Sequence, residues 1–256
     1  MTAPPLPPPP PDSPRPRRPH TPPDARRTYS VTTVLIALCC ALFVLGPASG
    51  LNPLYGTGDA ALSAQTAYFA RWGVIPRDLW AGHPAAWLTP LTALFVHGSW
   101  LHLLGNALFL HVFGQMTEAR MGRTAYTVFY LVTGYLALVG FAAAHAASGQ
   151  TLVGASGSIS GVLGAFLYLF PRARVTSLFP FLFFLPLRFP AWVVLLFWFA
   201  LQWLAARRDP AGPGVAYLAH VVGFALGFLY AWARHRPATV GVTRENTPAT
   251  EGESQP

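Results

Sequence analysis

Three short blocks of this sequence carry side chains able to do covalent chemistry in an otherwise apolar chain. The first is Gly154-Ala155-Ser156-Gly157-Ser158-Ile159-Ser160-Gly161, where a serine sits among small residues at the head of the apolar run Val162 to Phe170. A hydroxyl nucleophile must admit a substrate backbone, and neighbouring glycines leave the room for it. The second is His220, since a serine attacks only when a base takes its proton, and histidine is the usual base near neutral pH. The third is the pair His102 and Asn106, four residues apart and so on one helical face. Both can donate hydrogen bonds to a developing oxyanion, together with backbone N–H groups at the start of the serine run.

Each of these residues also has a plainer reading on its own. Serine is common in packed membrane helices, a lone histidine or asparagine can simply tie helices together, and glycines spaced for one face mark a packing seam. Gly157, Gly161 and Gly164 have that spacing, as do Gly223 and Gly227 after His220. His97 reads as a structural residue at a loop–helix junction, and His111 and His145 as core or interface residues. No HExxH occurs and no carboxylate lies near the histidines, so neither a metal nor another cofactor is expected. The acid nearest before His220 is Asp209, about 16 Å away along a straight helix. Hydrolysis would therefore rest on a Ser–His dyad.

The elements that must position these groups follow from composition. Apolar residues make up 53% of the 256 residues and charged ones 10%, a balance that favours a polytopic membrane protein. The 17 basic residues are all arginine, scattered between apolar spans, which suits topology setting and not nucleic-acid binding. Cys39 and Cys40 are adjacent and read as packing residues, without a disulfide or zinc framework. Residues 1–30 are rich in proline and arginine and predict a disordered cytoplasmic tail, as do the polar residues 234–256 at the other end.

Between the tails, residues 31–233 predict a six-helix membrane domain. Its spans are Val31 to Ser49, Trp100 to about Met116, Thr124 to Ala146, Ser156 to Phe170, Ala191 to Ala206 and Val215 to Ala233. Residues 50 to 90, with few charges and several aromatics, predict a loop resting at the membrane interface. Leu178 to Pro190 is apolar but interrupted by Pro180, Pro186 and Pro190, and predicts an interfacial connector. A cytoplasmic N-terminus puts 13 arginines inside and four outside, with Arg207 and Arg208 on the disfavoured side. Spans two, four and six then run in the same direction. Their outer ends bring His102, Asn106, Ser156 and His220 to one depth.

At this point the blocks carry a resemblance. His97-x4-His102-x3-Asn106, Gly154-Ala155-Ser156-Gly157 and Ala219-His220-x2-Gly223-x3-Gly227 together resemble the rhomboid family of intramembrane serine proteases. Glu118-x-Arg120 and the run Phe95 to Asn106 match as well, and the likeness covers roughly residues 68–233. It implies an all-α, six-helix rhomboid-like bundle of bacterial type, with an interfacial first loop. It further implies Ser156 as nucleophile, His220 as general base, and Asn106, His102 and the Ser156 N–H as the oxyanion hole. His97, Glu118 and Arg120 would be structural polar residues.

The implied partners are transmembrane protein substrates and the lipid bilayer, with no nucleic acid, and the implied place is the plasma or inner membrane. The sequence leaves the oligomeric state open. One departure stands out: some family members carry an aromatic residue four positions after the serine, stacked on the base, where this chain has Ser160. A client-binding membrane chaperone would have no need of the dyad. A transporter would show ionisable pairs at mid-membrane, and none is present.

Overall fold

The computed structural model describes residues 30–179, 185–208 and 215–235. The predicted tails, apart from Ser30, Arg234 and His235, lie outside the described residues, as does Asp209. All six apolar segments expected as spans are helical. They form α1 (Val31–Leu45), α5 (Trp100–Met121), α6 (Arg123–Ala144), α7 (Ser156–Leu169), α8 (Ala191–Arg208) and α9 (Tyr217–Arg234). Taken singly, α6 is the one described helix both long and apolar enough to cross a bilayer. The turns Pro84–Phe95 and α5 meet that measure as a pair across a 78° bend, and α1 and α7 are apolar but shorter.

The centre of the molecule is α7. Its residues from Gly157 to Leu167 are buried, and Leu163 and Ala165 are wholly so. A helix apolar on every side belongs at the middle of a bundle, and α5, α6, α8 and α9 all pack on it. The closest approach is to α9. A Cβ at Gly164 would run into the Phe224 carbonyl, one at Gly223 into the Gly157 carbonyl, and one at Gly227 into the Gly161 carbonyl. These glycines let two backbones touch. The face predicted for Gly157, Gly161 and Gly164 is in fact shared, because a Cβ at Gly157 would lie 3.0 Å from the Ala137 methyl of α6.

The first loop is more ordered than an interfacial loop requires. It contains α2 (Asp59–Trp72), α3 (Pro76–Trp80), α4 (Thr89–Thr92) and the 3-10 turn Ala93–Phe95. Its backbone is pinned to the segment that leads into α7. Val74 and Leu152 exchange N–H···O bonds of 2.9 and 2.8 Å, and Arg77 N donates to Ser148 O at 3.0 Å. The Trp80 indole N–H donates to Ala142 O at 3.0 Å, and the Tyr135 hydroxyl to Trp87 O at 3.0 Å.

The segment expected as an interfacial connector is a two-stranded antiparallel ribbon, a departure from a purely α architecture. Strands β1 (Arg174–Phe179) and β2 (Leu185–Pro190) pair in the register Arg174↔Pro190 to Phe179↔Leu185. With two strands both are edge strands, so Pro186 and Pro190 need not donate to any ladder. Pro180 lies outside the described residues.

Glu118 ties α1 to the bundle. Its buried carboxylate accepts from Val31 N at 2.8 Å, Thr32 N at 2.9 Å and Thr32 Oγ1 at 2.8 Å. The first N–H groups of a helix lack internal partners and carry partial positive charge, so a carboxylate suits them twice over. Arg120 is exposed at the same end of α5. Burial, then the charges of Arg120 and Arg234, hold the His235 imidazole just past α9 below its ordinary pKa. Replacing Glu118 with alanine should lower stability by about 2 kcal/mol. Thermal unfolding in detergent measures it, with a matched loss expected for Thr32→Val only in the hydroxyl's share.

Candidate active site

A cavity of about 350 Å³ opens where the N-terminal parts of α5, α7 and α9 meet α8. Ser156, His220, His102 and Asn106 all line it, so the four residues singled out for chemistry do converge. Each is placed by local structure. Ser156 is the first residue of α7 and half-buried, ahead of the N–H groups of the first turn that have no helical acceptor. His220 is one turn into α9 and 8% exposed, carried against α7 by the glycine contacts of Gly223 and Gly227. His102 and Asn106 stand one turn apart on α5. Ser99 caps that helix by accepting from His102 N at 3.2 Å.

Asn106 is oriented by His97. The Asn106 Nδ2 lies 3.0 Å from His97 Nε2, which leaves the amide's second N–H for the cavity. His97 is 2% exposed and meets the His102 ring edge-on at 5.1 Å. Its structural reading therefore has a definite content, since it braces both oxyanion candidates. His111, by contrast, is exposed on α5 and lines no part of the cavity.

The loop ahead of Ser156 closes on these residues. Gly154 has φ +123°, a conformation that side chains rarely adopt, and its N–H donates to Ala93 O at 2.8 Å. A Cβ there would stand 2.6 Å from His102 Cε1 and Nε2 and 3.7 Å from Asn106 Nδ2. Gly154 is thus needed for the backbone to reach the oxyanion candidates. A Gly154→Ala variant should lose about a hundredfold in catalytic rate while remaining folded. Kinetics beside a melting curve would separate the two effects.

Ser156 and His220 share the cavity without a hydrogen bond between them. Among the described residues, the hydrogen bond that His220 makes through its ring runs from Nδ1 to Gln202 Oε1 of α8, at 2.7 Å. Trp198, one turn earlier on α8, lies over the same imidazole with ring centroids 6.1 Å apart and planes 28° from parallel. The helix that packs beside the base, α8, thus supplies it with both an aromatic face and a polar partner.

Ser160 stands where some family members carry that aromatic. Its hydroxyl donates to Ser156 O at 2.6 Å, and a Cβ on Gly223 would already be 3.3 Å from the Ser160 Cβ. Gln202 and Trp198 escaped the reading of the sequence, although a glutamine in an apolar span is itself a signal, being costly to insert without a partner. Among the described residues no group of histidine, cysteine or carboxylate side chains forms a metal cluster.

Comparison with known proteins is consistent with this geometry. A family model described as the rhomboid domain matches residues 84–237. The chain belongs to the rhomboid family. Rhomboid protein 1, mitochondrial, of Saccharomyces cerevisiae is 34% identical over 143 residues, covering 54% of this chain and 39% of that protein. Rhomboid-like protein 11, chloroplastic, of Arabidopsis thaliana is 34% identical over 96 residues, or 37% and 33% of the two chains. The matched part thus covers well under half of either relative's length. The rhomboid domain marks a family of intramembrane serine proteases, and this rhomboid is a membrane protein. The three blocks around His102, Ser156 and His220 all fall inside the matched domain.

Proposed function

We propose that this rhomboid is a serine endopeptidase that cleaves transmembrane helices near the outer membrane face. The observation that carries the reading is the shared cavity of Ser156, His220, His102 and Asn106 at the first turns of their helices. Ser156 Oγ attacks the scissile carbonyl carbon as His220 Nε2 takes the hydroxyl proton. The carbonyl oxygen becomes an oxyanion that accepts from Asn106 Nδ2–H, His102 and the Ser156 backbone N–H. The C–N bond then breaks, with the His220 proton going to the leaving amine, and water hydrolyses the acyl-serine by the same route in reverse. Cleavage runs without cofactor or metal. Substrates are helices that unwind readily, because an intact helix hides its carbonyls.

The chain crosses the membrane six times, with both termini cytoplasmic and the first loop at the outer interface. The arginine bias supports that orientation, and the many large apolar side chains exposed on α5, α6, α8 and α9 support contact with lipid. The lysine-free basic set fits a GC-rich bacterial genome, in which the setting would be the plasma membrane. To test the reading, the purified protein is reconstituted with a single-span reporter and the product masses are measured. One cut inside or just outside the apolar segment at its outer end is expected. Intact reporter across a panel of helix-breaking substrates would count against it.

A further inference from the structure

We infer that Gln202 is the positioning residue for the general base, filling with a neutral amide the place that an acid holds in a Ser–His–acid triad. The inference rests on the serine-protease reading of Ser156 and His220. Gln202 Oε1 lies 2.7 Å from His220 Nδ1, and an amide oxygen can only accept, so the proton of the neutral imidazole sits on Nδ1. Nε2 is then the bare nitrogen, the one a base must turn toward the serine hydroxyl. The opposite tautomer would present an N–H to Ser156 and could take no proton.

Few other groups compete for the role. Among the described residues lining the cavity, the titratable side chains around His220 are His102 from α5 and Tyr217 from its own helix, with no carboxylate. Tyr217 meets the imidazole edge-on at 6.3 Å and makes no hydrogen bond to it. The α7 side chains at the cavity are Ser156, Ile159, Ser160 and Leu163, and the Ser160 hydroxyl is committed to Ser156 O. Trp198 and Gln202 are four residues apart and on one face of α8. One covers the ring's face while the other takes its N–H, so the imidazole is fixed in plane and in rotation.

The test uses the full chain in liposomes with the transmembrane reporter, comparing wild type, Gln202→Leu, Gln202→Glu and Ser156→Ala. Gln202→Leu is nearly the same volume but offers no acceptor. It should lower kcat about tenfold to a hundredfold with KM nearly unchanged, as expected for loss of a hydrogen bond to a group that becomes charged. Gln202→Glu keeps an acceptor and should restore most of the rate. Nitrogen-15 spectra of histidine-labelled protein, with His220→Gln identifying the signal, should show protonated Nδ1 in wild type and a mixed tautomer in Gln202→Leu.

Wild-type kcat in Gln202→Leu would overturn the inference. So would equal losses in the Leu and Glu variants with the tautomer unchanged, or a wild-type spectrum with the proton on Nε2. Inactive Ser156→Ala alongside any of those results leaves the protease reading standing. Full activity in Ser156→Ala would sink that reading instead.

Discussion

Ser156→Ala should abolish reporter cleavage, with a loss on the order of 10⁴-fold or more in kcat and no change in melting temperature. The size follows from what the oxygen does. Without it, no acyl intermediate forms, and the remaining donors of Asn106, His102 and the α7 N-terminus can only polarise a carbonyl for attack by water. The unchanged stability follows from position. Ser156 is half-buried at a cavity wall, and its side chain makes no hydrogen bond among the described residues, so removing it leaves neither a hole nor an orphaned partner. His220→Ala should fall to the same low rate, because nucleophile and base act as a unit and their losses do not add. The double variant should be no slower than either single one.

The second large effect concerns the contact that carries His220 to Ser156. Glycine to alanine inside a helix ordinarily stabilises by about 1 kcal/mol through the helix preference of alanine. At Gly227 the sign should reverse, since the added methyl meets the Gly161 carbonyl, a backbone group that cannot swing aside. Gly227→Val should cost about 3 kcal/mol or more, and any folded fraction should be inactive because α9 must withdraw from α7. Gly105 on α5 is the control for stability, with nothing within 4 Å of its added Cβ. Gly105→Ala should therefore hold or raise the melting temperature. Equal responses at the two positions would mean that α7 and α9 do not pack backbone to backbone.

How far the site could be read from sequence depends on the kind of information each part carries. Ser156, His220, His102 and Asn106 were legible because they are polar residues at the same ends of apolar segments running in one direction. Helical spacing and topology suffice to bring such residues together. Gln202 was not legible by the same route. The other polar residues of α8 are Arg207 and Arg208 in its last turn, and the meaning of Gln202 comes from facing His220 across the α8–α9 contact. The glycine spacing made the contact of the fourth span with the sixth legible, but not the share that α6 takes of the same face, because α7 is enclosed on every side and divides its glycines between α6 and α9. The ribbon of residues 174–179 and 185–190 followed only in negative form. Its prolines excluded a helix, while pairing of its backbone left no mark in side-chain type. The docking of Val74 on Leu152 was invisible for the same reason, its register being set by main-chain hydrogen bonds.

Those parts meet in a single claim, that Ser156 is a nucleophile activated by His220. The most direct measurement is mapping the adduct of a fluorophosphonate on the intact, membrane-reconstituted protein by peptide mass spectrometry. The account predicts one phosphonylated residue, Ser156, with labelling lost in His220→Ala and absent at Ser158 and Ser160, which are buried. An unmodified Ser156 in protein that cleaves the reporter, or labelling that persists undiminished without His220, would contradict it.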